Sequence, residues 1–299
     1  MQSLTKALNL QYRLAHREAA RPFRPDMVLP TSFKEFNKLI GNPIHPDKEI
    51  ATPIYNYQIE YFENWVKHHK LMLNKSRKIG ATETALRIIA YLTLTGVYAN
   101  HRVMIVAGNK QHLANRFIER LKNIFPKGGF YDKAGTEWTP NDLIIEENNS
   151  VIKFWNGTHI QAYPATEAVR GEENVKCVFL TECAFINRLD DSRVYNALHP
   201  NVANIPDADF IMESTPNGKR GFFWENWDAS SEYRKIQQPY QVSLNKLLTE
   251  DFIETERKNP RINFEQEYCC DFTTSTSSAF NEASINFVEK PINNYENLG

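Results

Sequence analysis

The sequence has little that would mark a secreted, disulfide-rich or strongly charged protein. It holds four cysteines and 12 glycines in 299 residues, and its 35 basic and 36 acidic side chains leave a formal net charge of −1. The cysteines form no C-x-x-C pair and no zinc-ligand spacing with histidine, which favours buried reduced thiols over a metal site. The balanced charge does not indicate a nucleic-acid binder, but it excludes none, because binding depends on where basic side chains cluster.

Long apolar runs are also missing. The most apolar stretch, residues 88–99, is shorter than the ~18 residues that cross a bilayer, and it contains Thr93 and Thr95. The N-terminal residues lack the apolar core of a secretory signal. We therefore expect no membrane association and no secretion. A hydrophobic fraction of 41% and a charged fraction of 24% are typical of a globular protein.

Apolar strand-like runs alternate with amphipathic segments from residue 57 to residue 268. The patterns predict helices over residues 58–70, 83–98, 111–125, 191–198, 252–257 and 264–268. They predict strands over residues 71–73, 103–107, 143–146, 151–155, 159–163, 177–180, 210–213 and 240–244. Such alternation is typical of a mostly parallel sheet with crossover helices. A further basic helix is predicted over residues 4–21, before a proline-rich stretch.

The loop over residues 75–82 has features of a phosphate-binding loop. Such a loop presents backbone N–H groups and a helix N-terminus to an anion, with a lysine for charge and a hydroxyl for Mg²⁺. Gly80 and Thr82 match the G-x-x-x-x-G-K-[ST] pattern, but Ala81 stands where the lysine is expected. Other positions of the loop supply positive charge, namely Lys75, Arg77 and Lys78. The alternative is a basic turn that opens a helix.

Two later strands end in polar residues. Thr181 and Glu182 follow residues 177–180, and a glutamate at that place can orient an attacking water, whereas threonine brings no charge for Mg²⁺. Residues 214–218, with the sequence STPNG, follow the strand over residues 210–213 and form a tight turn. Because α/β sheets bind ligands at the carboxyl ends of their strands, these segments indicate one shared site. Each alone also fits an ordinary surface turn.

Taken in order, these segments resemble the ATPase domain of terminase large subunits, the motors that package viral DNA. The resemblance rests on Tyr57-Gln58 (an adenine-side motif), residues 76–82 (SRKIGAT, the phosphate loop), residues 169–171 (VRG) ahead of residues 178–185 (VFLTECAF), residues 214–218 with 221–223 (STPNG and GFF, a coupling motif), and residues 264–268 (FEQEY). These segments span residues 57 to about 272. The resemblance implies a P-loop NTPase fold of the RecA/ASCE type, α/β with a mostly parallel sheet flanked by helices and a small N-terminal subdomain.

The resemblance also implies ATP and Mg²⁺ as cofactors, and it assigns site residues. The nucleotide-binding set is Tyr57, Gln58, Ser76, Ile79, Gly80, Ala81, Thr82 and Glu83, in which Gln58 reads adenine. The catalytic set is Lys75, Arg77, Lys78, Glu182, Ser214, Thr215 and Asn217, in which Glu182 orients water and the last three sense the γ-phosphate. Thr82 and Thr181 lie on the metal side. Either Lys75 or Lys78 supplies the loop charge, and candidates for an arginine finger are Arg116, Arg120 and Arg170.

The implied function is ATP-driven translocation of double-stranded DNA into a procapsid. The implied partners are the portal protein and the small terminase subunit, in a homo-oligomeric ring in the host cytoplasm. The domain division is then an N-terminal arm or subdomain (1–50), an ATPase domain (51–275) and a linker toward a nuclease domain (276–299). Because the nuclease domain would begin near residues 290–300, we expect no nuclease activity in this chain.

Two alternatives stay open at the level of sequence. Ala81 and Thr181 depart from the family pattern and fit a nucleotide-binding scaffold of the same fold that lacks efficient hydrolysis. Another P-loop enzyme, such as a helicase or a metabolic kinase, fits the loop but leaves residues 214–218 unexplained.

Overall fold

The computed structural model describes residues 27–45, 48–108, 110–124, 130–138, 140–186 and 191–273. Within these residues the strands are β1 (Met27–Val28), β2 (Lys70–Lys75), β3 (Arg102–Ala107), β4 (Phe130–Asp132), β5 (Glu137–Trp138), β6 (Ile144–Glu147), β7 (Val151–Phe154), β8 (His159–Tyr163), β9 (Val175–Thr181), β10 (Asp209–Ser214) and β11 (Arg234–Gln238). The α-helices are α1 (Phe33–Leu39), α2 (Asn56–His68), α3 (Ala81–Leu94), α4 (Gln111–Ile124), α5 (Pro140–Leu143), α6 (Asp191–Val202), α7 (Gly221–Asp228), α8 (Glu250–Lys258) and α9 (Phe264–Glu267). The helix predicted over residues 4–21 and the linker over residues 276–299 lie outside the described residues.

Eight strands form one large sheet in the order β11-β2-β10-β9-β3-β8-β7-β6. The strands from β11 to β8 are parallel to their neighbours, and β7 and β6 continue the sheet antiparallel. A separate small antiparallel sheet has the order β1-β4-β5. The prediction of a mostly parallel α/β sheet flanked by helices is confirmed.

Helices cover both faces of the large sheet, which explains why the middle residues of its central strands are apolar on both faces. Successive side chains of a strand point to opposite faces, so Leu71 and Leu73 of β2 join one buried cluster while Met72 joins the other. The first cluster includes side chains of α1 to α4, and the second includes those of α6 and α7. Among the described helices, none is both long enough and apolar enough to cross a membrane.

The helix α1 lies within the predicted N-terminal arm. Its Phe33 and Phe36 side chains are buried in the same cluster as α2 and α3. The Phe33 ring stacks on Phe62 of α2 with centroids 4.5 Å apart. The N-terminal region therefore packs against the helical layer in its described part, and a domain boundary at residue 50 stays a prediction.

The strand predicted over residues 240–244 is wrong, and a neighbouring strand was missed. Residues Tyr240–Ser243 form a 3₁₀ turn, and the strand β11 ends just before Pro239. β11 lies at the edge of the sheet beside β2, where only Ile236 and Gln238 are buried. An edge strand needs little apolar pattern, which is why RKIQQ gave no strand signal and the more apolar YQVSL did.

The carboxyl ends of β2, β9 and β10 lie at one edge of the sheet because these strands are parallel neighbours. Their registers pair Ser214 with Asn74 and Glu213 with Thr181. The helix α3 begins at Ala81 rather than at the predicted residue 83, directly after the loop that follows β2. The three segments singled out in the sequence therefore meet at one place.

Candidate active site

The loop between β2 and α3 is anchored by its backbone at its start. The amide N–H of Ser76 donates to the carbonyl oxygen of Gln238 (2.9 Å), and that of Arg77 donates to the carbonyl oxygen of Glu267 (3.0 Å). The Arg77 guanidinium also pairs with the Glu267 carboxylate. Arg77 is thus directed toward α9, and it holds the loop to that helix in this structure.

The second half of the loop turns sharply into α3. Lys78 and Gly80 adopt left-handed φ values of 59° and 73°, and the Tyr57 hydroxyl donates to the carbonyl oxygen of Ile79 (2.8 Å). The first N–H groups of a helix have no acceptor within it and carry partial positive charge. The N-terminus of α3, beginning at Ala81, therefore presents donors suited to an anion such as a phosphate.

A charged cluster lies at the strand ends beside this helix N-terminus. The ammonium Nζ of Lys75 donates to Oε1 of Glu182 (2.8 Å). Burial lowers the pKa of Lys75, but the carboxylates of Glu182 and Glu213 outweigh it and hold that pKa above its ordinary value. Burial raises the pKa of the Glu213 carboxyl, and Lys75 and the Thr82 hydroxyl offset only part of the rise. Lys75 is the loop lysine that the structure places in this cluster.

Glu213 was not assigned a role from the sequence, and it is the most buried acidic group of the cluster. Its side chain is fully buried at the penultimate position of β10. Its Oε1 accepts hydrogen bonds from the hydroxyls of Thr82 (2.6 Å) and Thr181 (2.9 Å). The Tyr61 hydroxyl approaches Oε2 at 3.4 Å. The sequence signal that could have found it is a carboxylate inside an otherwise apolar strand.

The turn that carries Glu182 is fixed by the last residue of β10 and by the segment that follows it. Glu182 itself has a left-handed φ of 53°, and the amide N–H of Ala184 donates to Oγ of Ser214 (3.2 Å). The Asn217 side chain donates to the carbonyl oxygen of Ala184 (3.0 Å). Thr215, which follows Ser214 in the chain, is buried. Ser214 and Asn217 thus contact the Glu182 turn directly.

The other loop side chains point elsewhere. Lys78 places its ammonium 4.6 Å from the centre of the Phe252 ring. Ser76 and Ala81 are buried. Glu83 pairs with Arg87 of the same helix (2.9 Å) and with Arg120 of α4 (3.2 Å). Arg77, Lys78 and Glu83 therefore have their partners outside the Lys75 cluster.

A cavity of about 450 Å³ adjoins the loop. It is lined by Lys78, Gly80 and Glu83 from the loop and α3, by Gln58, and by residues 40–44, Thr52, Arg87, Arg120, Asn123, Ile124 and Leu247. Gln58 Oε1 accepts the amide N–H of Tyr55 (2.9 Å), and its Nε2 lies against Gly80. A cavity of this size with a few polar groups is typical of a small-molecule site. The arginine-finger candidates Arg116, Arg120 and Arg170 are all exposed, and of the three Arg120 lines this cavity.

The donor set fits a magnesium nucleotide better than a protein-only metal centre. Within the described part of the chain, no group of three or more His, Cys, Asp or Glu side chains is arranged to hold a metal ion. Mg²⁺ keeps several waters and is usually held by one or two protein groups together with substrate phosphates. The Thr82 hydroxyl, which donates to the Glu213 carboxylate, and the α3 N-terminus provide that combination. Three cysteines are buried and Cys269 is partly exposed, all as free thiols.

Comparison with known proteins identifies the family and the fold of the chain. The family model for the N-terminal part of the T4likevirus-type terminase large subunit matches residues 72–287. The fold is similar to the large terminase ATPase domain of Thermus phage P74-26, with 15% identity, 82% of this chain and 100% of that chain covered, and a TM-score of 0.52.

The fold is also similar to the large terminase of a second phage, a thermophilic bacteriophage, with 13% identity, 74% of this chain covered and a TM-score of 0.53. The chain spans about half of that protein's length, 54%. Other structures of the same thermophilic-phage terminase hold ADP and ATP-gamma-S, each with a TM-score of 0.52. The chain belongs to the T4likevirus-type terminase large subunit family and corresponds to its N-terminal part.

Proposed function

We propose that this chain binds ATP with Mg²⁺ at the carboxyl edge of its sheet, hydrolyses it, and couples hydrolysis to the translocation of double-stranded DNA into a procapsid. The observation that carries the proposal is the meeting of Lys75, Thr82, Glu182 and Glu213 beside the N-terminus of α3. The thermophilic-phage terminase structures with ADP and ATP-gamma-S support nucleotide binding by this fold.

The phosphate groups bind the backbone N–H groups of residues 78–82, where the helix N-terminus favours negative charge. Lys75 adds a buried positive charge that stabilises charge developing on the transferred phosphoryl group. Thr82 and Thr181 face the metal side. Mg²⁺, when bound, neutralises charge on the β- and γ-phosphates. Gln58 is the proposed adenine-side contact, and Tyr57 supports the loop behind it. Gln58 Oε1 accepts from Tyr55, so its Nε2 is the atom proposed to donate to adenine.

Glu182 is the proposed water-orienting residue. Its side chain is about half exposed (46%) at the end of a buried strand, so water can reach it, and its carboxylate is bonded to Lys75. When phosphate takes Lys75 as partner, the Glu182 carboxylate is released to accept a proton from a water molecule.

Ser214, Thr215 and Asn217 are the proposed sensors of the γ-phosphate. Ser214 and Asn217 hold the Glu182 turn through Ala184, and the next residue, Gly218, donates its amide N–H to the Gln266 side chain of α9 (3.0 Å). A change at the phosphate can therefore pass along residues 214–218 to α9, which also contacts the loop through Arg77. This chain of contacts is the proposed coupling path.

Double-stranded DNA, the portal protein and the small terminase subunit are the proposed partners, in a homo-oligomeric ring in the host cytoplasm. Contacts to DNA phosphates give binding that weakens steeply with salt and has little sequence preference. Arg116, Arg120 and Arg170 are all exposed, but Arg120 is held by an ion pair with Glu83. Because their charge is not taken up by such a pair on α3, Arg116 and Arg170 are the better candidates for an arginine finger.

Steady-state ATP hydrolysis by the wild type and by Glu182→Gln tests the proposal. We expect the rate to fall by about 10²- to 10⁴-fold, while ATP affinity is kept. Equal rates would remove Glu182 from the mechanism. ATP binding with no turnover by the wild type, even with DNA present, would favour the second candidate function, a nucleotide-binding scaffold. The observations that favour this candidate are Ala81 and Thr181, which depart from the family pattern.

A further inference from the structure

The cluster at the strand ends holds two carboxyl groups and one ammonium group. One buried ammonium, that of Lys75, faces the carboxylates of both Glu182 and Glu213. Arg77, the next cation of the loop, is paired with Glu267 instead. A buried carboxylate is costly unless it is paired, so the cluster is suited to a further cation.

The hydrogen bond from Thr82 to Glu213 also indicates a place for a further cation. A hydroxyl has one proton to donate and two lone pairs with which to accept or to bind a metal. The Thr82 proton is committed to Glu213 Oε1 at 2.6 Å, so its lone pairs are left for another partner. Thr82 lies in the first turn of α3, where phosphate is proposed to bind, and a cation between the two satisfies both.

The strand register explains why the carboxylate comes from Glu213. Thr181 ends β9 and is paired directly with Glu213 on the neighbouring strand β10. The Thr181 hydroxyl donates to the same Oε1 that accepts from Thr82. The charge that Thr181 does not have is thus supplied from the adjacent strand, at the same level of the sheet.

We propose that Glu213 is the acidic positioning residue of the Mg²⁺ site, acting through the Thr82 hydroxyl in place of a carboxylate at position 181. This inference rests on the proposed ATP-binding function and deepens it. It also explains how the chain can hydrolyse ATP with a threonine at position 181. The carboxylate of the site is kept, and only the strand that supplies it differs.

The test compares the affinity for ATP-gamma-S with Mg²⁺ and with EDTA, by isothermal titration calorimetry. For the wild type we expect tighter binding with Mg²⁺. Glu213→Gln keeps the size of the side chain and removes its charge, and we expect it to lose about tenfold or more of the Mg²⁺-dependent gain, with the affinity in EDTA unchanged. A second readout is the electron paramagnetic resonance signal of Mn²⁺ bound with the nucleotide, which should weaken in the same variant.

The double variant Thr181→Asp/Glu213→Gln moves the carboxylate back to β9. We expect it to recover most of the Mg²⁺-dependent gain, a result that a merely structural role of Glu213 would not produce. The matched control is Asp209→Asn, because Asp209 is a buried carboxylate at the other end of the same strand, bonded by the Tyr98 hydroxyl (2.6 Å). We expect the control to keep the full gain.

A full Mg²⁺-dependent gain in Glu213→Gln would overturn the inference, as would wild-type binding that is the same with Mg²⁺ and EDTA. If Glu213→Gln does not fold, a folded double variant without the gain would overturn it equally. If the wild-type protein bound no ATP-gamma-S in either buffer, that result would instead contradict the proposed function.

Discussion

Lys75 and Glu182 are 107 positions apart in the chain, and their side chains form an ion pair with Nζ and Oε1 2.8 Å apart. The pair joins the ends of β2 and β9, which are separated in the sheet by β10. Lys75 is almost fully buried and Glu182 is half exposed. The cation of the loop and the carboxylate of the next motif thus hold each other in this structure. We expect a triphosphate that binds Lys75 to replace Glu182 as its partner.

Replacement of each loop lysine separates their roles. Lys75→Ala leaves Glu213 buried without its cation, so we expect a loss of about 3 kcal/mol in the free energy of unfolding and a fall of at least about 100-fold in kcat. Lys78→Ala removes a contact with the Phe252 ring, and we expect less than about a tenfold change in kcat, because its charge lies outside the cluster. Chemical denaturation and steady-state hydrolysis measure both variants. The opposite order of the two kcat values would assign the loop charge to Lys78.

Gly80 has a backbone conformation that only glycine adopts without strain. Gly80→Ala puts an alanine at a φ of +73°, which is strained. Its Cβ would also lie 3.1 Å from Gln58 Nε2 and 3.2 Å from Leu247 Cδ1, which is too close. We expect a loss of about 1–2 kcal/mol in unfolding free energy and weaker ATP binding, because the turn before α3 must shift.

The matched control for that variant is Gly96→Ala. Gly96 lies just beyond the other end of α3 with a φ of +85°, and nothing lies within 4 Å of an added Cβ. We expect a similar loss of stability and unchanged ATP affinity. Equal ATP affinities of the two variants and the wild type would show that the loop conformation does not position the phosphates.

His69 lies at the amino ends of β2 and β10, away from the candidate active site, and its protonation stabilises the fold. A hydrogen bond to Asp209 (2.9 Å) raises the pKa of His69 above its ordinary value, against the effect of burial, with Asp207 adding to the rise and Lys176 opposing it. A group with a raised folded pKa contributes fully below its unfolded pKa, and the contribution is lost as pH rises through the folded pKa. Because His69 is about one-third exposed (35%), we expect at most about 1 kcal/mol.

Denaturant unfolding of the wild type and of His69→Gln between pH 5.5 and 8.5, a window around the ordinary pKa of about 6.5, measures this contribution. The difference in unfolding free energy between them should shrink toward the alkaline end. The neighbouring exposed His68 offers the control, since His68→Gln keeps the bond between His69 and Asp209. A difference that stays constant with pH would mean that His69 does not titrate in this bond.

Most of the sheet could be predicted from the sequence because its strands are buried on both faces and therefore apolar. The prediction of residues 159–163 as a strand coincides with β8, and residues 103–107 fall within β3. The edge strand β11 could not be predicted in this way. Its partner β2 and its position at the rim, rather than its own composition, make it a strand.

The site was predictable as a set of segments but not as a set of contacts. The loop glycine, Thr82 and the strand end at Glu182 are visible in the sequence. The contact of Lys75 with Glu182 depends on the registers of β2 and β9 with β10, and the bond from Thr82 to Glu213 depends on where α3 packs against β10. These registers and the position of α3 are set by tertiary packing, so a local pattern does not contain them.

A structure of the protein with ATP-gamma-S and Mg²⁺ tests the central claim most directly. We expect the triphosphate at the N-terminus of α3, with the γ-phosphate bonded to Nζ of Lys75 and the Glu182 carboxylate released from its present 2.8 Å contact with that lysine. A nucleotide bound at another edge of the sheet, with the pair of Lys75 and Glu182 intact, would contradict it.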